Sequence, residues 1–198
     1  QVEVTDVYNE EPATAEYPCV SDALNCLDSI NVQGGSVNFY SSFNLDSINL
    51  VSGAIIVVHG ATRNGDDYFN RMISTIRSVG LEDSIMVIAP QFITEYEKLH
   101  DKDWYWNTTS WKWGNQSYMN GSQTSISSFE VIDYLLSKAA DINKFPNLSK
   151  VLITGHSSGS AFTHTFASTK SNNTFRNLKI DFAVINNQYF FAFELFKI

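Results

Sequence analysis

Four short runs of apolar, mostly β-branched residues constrain the fold of this 198-residue chain more than any other feature. They lie at residues 54–58, 85–89, 151–153 and 182–185. Continuous apolar runs are typical of strands that are buried on both faces, as in a parallel sheet. Helical patterns at residues 66–79 and 127–140, and a third helix predicted from Ser157 to about Ser168, alternate with them. This order predicts an α/β fold with a doubly wound, mostly parallel sheet.

The segment before the first run has a different character. Residues 1–35 are polar and acidic, and we predict that they form an extended N-terminal arm that ends in a Gly34-Gly35 turn. Residues 36–198 are predicted to form a single domain. Within this domain Val37, Phe39 and Phe43 predict an early strand with a hairpin-like partner near residues 48–51.

Composition excludes several classes of partner. The chain has 13 Lys and Arg against 21 Asp and Glu, a net charge of -8. Such a surface repels phosphate backbones, so nucleic acid is not a predicted partner. No apolar run approaches the roughly 20 residues that a membrane span needs. We predict neither a bound metal nor a cofactor.

Cysteines and glycosylation motifs bear on the compartment. Cys19 and Cys26 are the only cysteines, and they can pair only if the segment between them is not an α-helix, which leaves the disulfide open. Five N-x-S/T sequons occur, at Asn107, Asn115, Asn120, Asn147 and Asn172. About three are expected by chance in a chain with this content of Asn, Ser and Thr. Secretion is therefore favoured only slightly over a cytoplasmic location.

The run at 151–153 leads directly into Gly155-His156-Ser157-Ser158-Gly159, a G-x-S-x-G sequence between a strand and a helix. This is the context of a nucleophile elbow. We predict that Ser157 is the nucleophile, with a strained backbone and a hydroxyl exposed at the carboxyl ends of the strands. Side chains at Gly155 and Gly159 would clash with the neighbouring strand and helix. The backbone N–H of Ser158 is the first predicted donor to an oxyanion.

Further motifs accompany the elbow along residues 54–190. They are His59-Gly60 at a strand end, Arg63-Asn64 with Tyr68, Ala89-Pro90-Gln91-Phe92, Trp111-Lys112-Trp113-Gly114, the helix from Ser127 to Asp133, and Pro146-Asn147-Leu148. With these motifs the chain resembles the α/β-hydrolase superfamily in its serine esterase and lipase branch, and more closely a little-characterised microbial group. Two departures stand out: Ser160 replaces a usual glycine, and Asn186-Asn187-Gln188-Tyr189 lacks the proline of the family pattern.

The resemblance assigns roles near the first apolar run. In α/β-hydrolases the loop after the third strand supplies a second oxyanion donor, which here is the N–H of Ala61, or of Thr62 one residue later. His59 is expected to be a structural residue that bonds its own loop. The four tryptophans Trp104, Trp106, Trp111 and Trp113 form either a wall for the substrate or a part of the core. Asp101, Asp103 and Asn107 match no trusted metal motif and are expected to be solvated.

The resemblance also implies residues that the chain does not supply. The family order is Ser, then Asp or Glu, then His. After Ser157 only His164, Asp181 and Glu194 are available, and none fits the acid or base position. The last strands of the fold are missing as well, and a sheet that ends at Val184 would expose an apolar edge. We therefore expect a fragment of a complete hydrolase, in preference to a short natural form.

Two functions from different classes remain. The first is a serine hydrolase that acts on a small-molecule or lipid-like carboxylic ester through an acyl-enzyme, with its histidine beyond residue 198. The second is a non-catalytic binding protein that keeps the hydrolase scaffold. It would contact a ligand through the loop that holds Trp104, Trp106, Trp111 and Trp113, called the tryptophan loop below. The identity of the substrate does not follow from the fold.

Overall fold

A computed structural model describes residues 17–169, 175 and 178–185 of the chain. Its six strands are β1 (Leu27–Val32), β2 (Gly35–Ser41), β3 (Gly53–Val58), β4 (Ile85–Pro90), β5 (Lys150–His156) and β6 (Lys179–Ile185). Three α-helices connect them: α1 (Gly65–Arg77), α2 (Ser128–Ala139) and α3 (Ser158–Thr169). The strand order is β1-β2-β4-β3-β5-β6, and β3, β4, β5 and β6 run parallel. The predicted α/β class with a mostly parallel sheet is confirmed.

The central strands are built from the apolar runs of the sequence. Every residue of β3 and of β4 is buried, because helices cover both faces of the sheet. On one face α1 packs through Phe69, Met72 and Ile76. On the other face α2 and α3 contribute a larger cluster that includes the aromatic side chains of the loop before α2. The sheet is therefore wound on both sides, as predicted.

The start of α2 shows why its boundary could be predicted. The hydroxyl of Ser127 accepts a hydrogen bond from the N–H of Phe129, and the carboxylate of Glu130 accepts one from the N–H of Ser127 at 2.6 Å. The Ser127 hydroxyl also accepts from the N–H of Glu130, which completes the capping box that the spacing of Ser127 and Glu130 indicates, and these bonds satisfy N–H groups that have no partner inside the helix. The sequence signature and the observed helix start agree.

The N-terminal part of the sheet, β1 and β2, differs from the prediction. Residues 27–32, assigned from sequence to an extended arm, form the edge strand β1, which pairs antiparallel with β2. The tight turn lies at Gln33 and Gly34, which have φ angles of 50° and 88°. The hairpin partner predicted near residues 48–51 is wrong, because this segment forms no strand and exposes Ile48 and Leu50. Residues 1–16 of the predicted arm lie outside the described residues.

The opposite edge of the described sheet is apolar. Within the described part of the chain β6 is the outer strand, and Phe182 and Val184 are 39% and 45% exposed. In the part of the chain that the structure describes, no helix has the length and apolarity needed to cross a membrane.

The two cysteines form a disulfide between Cys19 and Cys26. The segment between them ends in a short 3-10 helix, Ala23–Cys26, and brings the two Cα atoms to 5.7 Å. This geometry resolves the alternative that the sequence left open. Both cysteines are buried against α1, so the disulfide ties the start of the described chain to the domain.

Replacing both cysteines by serine is expected to lower the free energy of unfolding by about 2 kcal/mol, because the small loop becomes unconstrained in the unfolded chain. Urea unfolding followed by circular dichroism measures the difference. A reductant should destabilise the wild-type chain by a similar amount and leave the double variant unchanged. Equal stability of the oxidised wild type and the double variant would contradict the prediction.

Candidate active site

A tight turn lies at the carboxyl end of β5, where the sequence predicts a nucleophile elbow. Ser157 lies between β5 and α3, has a φ angle of 57° and is exposed. Its carbonyl accepts hydrogen bonds from the N–H groups of Ser160 and Ala161, so Ser157 is the residue that caps α3. A non-glycine residue in the left-handed region is strained, and such strain concentrates at functional sites. Both geometric predictions for Ser157 are confirmed.

Two glycines allow the elbow to form. A Cβ on Gly155 would lie 2.5 Å from the carbonyl carbon of Gly159. A Cβ on Gly159 would lie 2.7 Å from the carbonyl oxygen of His59, and even closer to that of Val58. Because these contacts are with backbone atoms, no side-chain movement relieves them. The clash predicted for side chains at both positions is confirmed.

The strand register brings a second loop beside the elbow. Strands β3 and β5 are parallel neighbours, and Val58 lies opposite Gly155. The residues that follow β3 therefore emerge next to Ser157. A Cβ placed on Gly60 would lie 3.7 Å from the Cβ of Ser157, so Gly60 faces Ser157 directly.

The predicted oxyanion donors lie in these two segments. Ser158 is the first residue of α3, where N–H groups have no acceptor within the helix and the helix dipole is positive. Ala61 is exposed in a turn closed by a 3.1 Å hydrogen bond from the N–H of Arg63 to the carbonyl of Gly60. Thr62, the alternative donor, lies in the same turn. That these N–H groups bind an oxyanion stays a prediction.

An ion pair holds this turn in place. The guanidinium of Arg63 contacts the carboxylate of Glu97 through Nε and Nη2, each at 2.9 Å. Arg63 also donates to the carbonyl of Ala61 at 3.2 Å. The Gln91 side chain donates to the carbonyl of Arg63 and accepts from the N–H of Gly65. This ion pair could not be predicted, because no local pattern connects residues that are 34 positions apart.

Glu97 is held as a carboxylate. Partial burial raises the pKa of its carboxyl, but hydrogen bonds from Arg63 and from the backbone and hydroxyl of Thr94 outweigh burial and lower the pKa to about 2. The N–H of Thr94 donates to this carboxylate at 2.7 Å. Arg63 therefore has an ionised partner near pH 7.

His59 is a structural residue, as predicted. It is fully buried, with Nδ1 3.0 Å from the carbonyl of Gly60 and Nε2 accepting the N–H of Phe92 at 3.0 Å. These contacts require the tautomer with the proton on Nδ1. Burial lowers the pKa of the imidazole to about 4, so His59 is neutral near pH 7. Both nitrogens are occupied, and His59 has none left for a substrate or for Ser157.

Tyr68 is a site residue that the sequence analysis missed. It lies at the end of the first turn of α1, and its hydroxyl is 3.4 Å from Nδ1 of His156. A Cβ on Gly60 would meet this hydroxyl at 2.8 Å, so Tyr68 lies on the same side of Gly60 as Ser157. Burial raises the pKa of the phenol, which leaves a neutral hydroxyl. From the sequence, Tyr68 was identified only as an aromatic residue of the family pattern, with no role in the site.

The tryptophan loop is mainly a part of the core. Trp104, Trp106 and Trp111 are each 1% exposed, and Trp111 packs its ring 4.6 Å from that of His59. The interpretation as a substrate wall is therefore wrong for these three rings, because buried rings have no surface to offer. Trp113 is 52% exposed, and its predicted place in a wall stays open.

The other polar residues after Ser157 do not assemble a base. His164 is exposed on α3, two turns beyond Ser157. Asp181 pairs with Lys150 and Lys179 near the amino end of β6, away from the elbow. Glu194 lies outside the described residues.

The acidic loop before the tryptophans has a structural role. Asp103 is buried, and its carboxylate accepts hydrogen bonds from the N–H groups of Leu99 and His100. The expectation that it is solvated is therefore wrong, whereas Asp101 and Asn107 are exposed as expected. Among the described residues no three acidic, histidine or cysteine side chains form a group that could hold a metal.

Comparison with known proteins finds no matching family model and no matching curated protein. The chain is similar to a poly(3-hydroxybutyrate) depolymerase from Bordetella parapertussis, with 19% identity and a TM-score of 0.45 over 69% of its length. It is similar to an acetyl xylan esterase from Aspergillus awamori, with 21% identity and a TM-score of 0.43 over 72%. It is also similar to an α/β serine hydrolase without a lid from Xanthomonas campestris, with 11% identity and a TM-score of 0.45 over 80%.

The chain spans less than half of the first two structures, 43% of the depolymerase and 47% of the esterase, and 68% of the third.

Gly159→Ala is expected to destabilise the chain by about 2 to 3 kcal/mol, because the new methyl group collides with backbone carbonyls of β3. Gly121→Ala is the matched control: Gly121 has a φ of 73° but no atom within 4 Å of the added Cβ, so only backbone strain of about 1 kcal/mol remains. Denaturant unfolding compares both variants with the wild type. Equal losses would show that the close approach of α3 to β3 is absent.

Glu97→Gln is expected to remove a pH-dependent contribution to stability. The folded pKa of about 2 lies below the ordinary 4.5, so the ion pair stabilises the fold above pH 4.5 and loses this effect as the pH falls toward 2. The loss at pH 7 should be at most about 1 kcal/mol, because Glu97 is partly exposed and screened. Melting temperatures from pH 7 to pH 2 should converge for wild type and variant. Glu95→Gln, on the same turn, should run parallel to the wild type.

Proposed function

We propose that this chain provides the nucleophile and the oxyanion site of a serine hydrolase that acts on carboxylic esters through an acyl-enzyme. The observation that supports it best is the strained, exposed Ser157 between β5 and α3, opposite Gly60. Ser157 has a strained backbone, and its turn requires glycine at positions 155 and 159. A chemical use of the Ser157 hydroxyl would explain why the fold keeps this strained arrangement.

The proposed reaction follows from this arrangement. The hydroxyl oxygen of Ser157 attacks the ester carbonyl carbon and gives its proton to a base. The negative charge that develops on the carbonyl oxygen is stabilised by two N–H groups. One is that of Ser158, at the positive end of α3, and the other is that of Ala61, in the turn after β3. The C–O bond to the alcohol breaks, the alcohol leaves with the proton, and the acyl group stays on Ser157. Water then attacks the acyl-enzyme by the same route and releases the acid.

The base in this proposal is a histidine that follows residue 198 in the full gene product, oriented by an acid that also follows Ser157. The four histidines of the sequence are His59, His100, His156 and His164. His59 uses both ring nitrogens inside its own loop, and His164 is exposed two turns along α3. The family order of Ser, acid and His supports a later position for the missing pair.

The proposed substrate is a small-molecule or lipid-like ester. Ser157 is open to solvent, and the neutral hydroxyl of Tyr68 and the apolar edge of Gly60 adjoin it. These groups suit an uncharged acyl or alcohol group better than a charged one. The half-exposed Trp113 is the remaining aromatic candidate for a contact with the substrate.

The second candidate function is a non-catalytic binding protein with the same scaffold. It is favoured by one observation: among the hydrogen bonds that the described histidine side chains make, none joins a ring nitrogen to the hydroxyl of Ser157. In that case Ser157 would be retained for a contact, and its substitution would weaken binding without affecting any reaction.

The test uses hydrolysis of p-nitrophenyl acetate and p-nitrophenyl butyrate. The 198-residue chain should be inactive or weakly active, because an unassisted serine is a poor nucleophile. Ser157→Ala should abolish any residual turnover, and Ser160→Ala, three residues later on α3, should preserve it. Robust activity of this chain that depends on Ser157 would show that one of its own histidines acts as the base.

The same assay on the full gene product separates the two functions. If downstream sequence supplies the acid and the histidine, turnover should rise by a factor on the order of 10⁴ and again depend on Ser157. A full-length protein that contains no such pair, and whose weak turnover survives Ser157→Ala, would contradict the proposed hydrolase.

A further inference from the structure

Four of the five sequons fall on described residues, and three of them share one loop. Asn107, Asn115 and Asn120 lie between β4 and α2, and Asn147 lies between α2 and β5. The proposed hydrolase uses none of them. Their number alone exceeds chance only slightly, so their placement in the fold decides whether they matter.

All four asparagines are exposed. Among the eight other asparagines of the described part, four are exposed and four are partly buried. Exposure is therefore more consistent at the sequons than at asparagines in general. A glycan on a buried amide would prevent folding, so a chain that is modified must keep each acceptor at the surface.

The surroundings of the loop sites leave room for a bulky group. Asn107 and Asn115 line one shallow surface groove together with Tyr118. The side-chain amide of Asn107 reaches the hydroxyl of Tyr118 at 3.5 Å, a distance at the limit of a hydrogen bond. Tyr118 is 49% exposed and stacks on Tyr105 at 5.6 Å between ring centroids.

The disulfide is an independent indication of a secretory compartment, which is where N-glycosylation would take place. The only two cysteines form the Cys19–Cys26 disulfide. Structural disulfides form and persist in oxidising compartments, where N-glycosylation of secreted proteins also takes place. The disulfide and the sequons were each undecided in the sequence, and in the fold the cysteines are paired and the acceptors are at the surface.

We propose that Asn107, Asn115 and Asn120 carry N-linked glycans and that this chain matures in a secretory compartment. In the transfer, the amide nitrogen of the asparagine attacks the anomeric carbon of an oligosaccharide that is joined to a lipid through pyrophosphate. A C–N bond forms, the C–O bond to the pyrophosphate breaks, the lipid pyrophosphate leaves, and the amide loses one proton.

Glycans at these positions would cover an exposed aromatic surface. Trp113 and Tyr118, 52% and 49% exposed, lie in the segment between Asn107 and Asn120. Exposed aromatic side chains favour association with other proteins. A glycan on Asn107 or Asn115 would limit such association at Tyr118, which lines the same groove.

The test is a peptide map of the chain expressed with an epitope tag from its own gene in its source cells, from secreted and cellular fractions together. Peptide N-glycosidase in heavy-oxygen water converts each glycosylated asparagine to labelled aspartate. We expect label at Asn107, Asn115 and Asn120 and none at the exposed Asn143, which is not in a sequon. Unlabelled peptides at all three sites, in a sample whose other secreted glycoproteins are labelled, overturn the proposal.

A pair of adjacent variants tests that the sequon itself is read. Thr109→Ala removes the hydroxyl residue of the Asn107 sequon and should abolish label at Asn107, as Asn107→Gln does. Thr108→Ala, one residue earlier and equally exposed, keeps the sequon and should keep the label. Label that persists in Thr109→Ala would show deamidation without a glycan, and it would overturn the assignment of this site.

Discussion

The close approach of α3 to β3 at Gly159 is the contact on which the candidate site depends. The α-carbon of Gly159 faces the carbonyl oxygens of Val58 and His59, with no space for a methyl group. This contact sets the direction of α3, and the tight turn that feeds it forces Ser157 into the left-handed region. Because β3 and β5 are parallel neighbours in register, the same contact puts Gly60 opposite the serine. One backbone approach therefore positions Ser157, the start of α3 and the loop beside them.

The turn at residues 60–63, which faces the elbow, is stabilised by an ion pair and hydrogen bonds. The elbow itself is stabilised by close packing. Arg63 and Glu97 form a two-point ion pair, and Gln91 joins the turn to the end of β4. Underneath, neutral His59 bonds to Gly60 and Phe92 and is covered by Trp111. An aromatic core thus supports a polar turn, which keeps the turn rigid while Ala61 stays open to solvent. Rigid donors are what an oxyanion site requires, since they need no reorganisation during a reaction.

Local patterns predicted the parts of the fold that local physics controls. The β-branched runs gave β3, β4 and β5, and the Ser127–Glu130 capping box gave the start of α2. Strand β1 was missed because it is a half-buried edge strand, in which only Ile30 and Val32 face the core. The pairing of Arg63 with Glu97 and the burial of Asp103 depend on segments that meet only in the folded chain. The sequence around a tryptophan is similar whether the ring lines a pocket or fills a core. The role of these tryptophans therefore could not be predicted from sequence.

The strain at Ser157 bears on the choice between catalysis and simple binding. A left-handed non-glycine residue costs on the order of 1 to 3 kcal/mol, and the fold keeps it only where surrounding contacts enforce it. A serine that served as a hydrogen-bonding contact could be presented by an ordinary turn at no such cost. Attack on a carbonyl requires more, because the oxygen must stand clear of the sheet and beside a helix end at the same time. The elbow meets both requirements through Gly155 and Gly159, and this favours a hydrolytic role for Ser157.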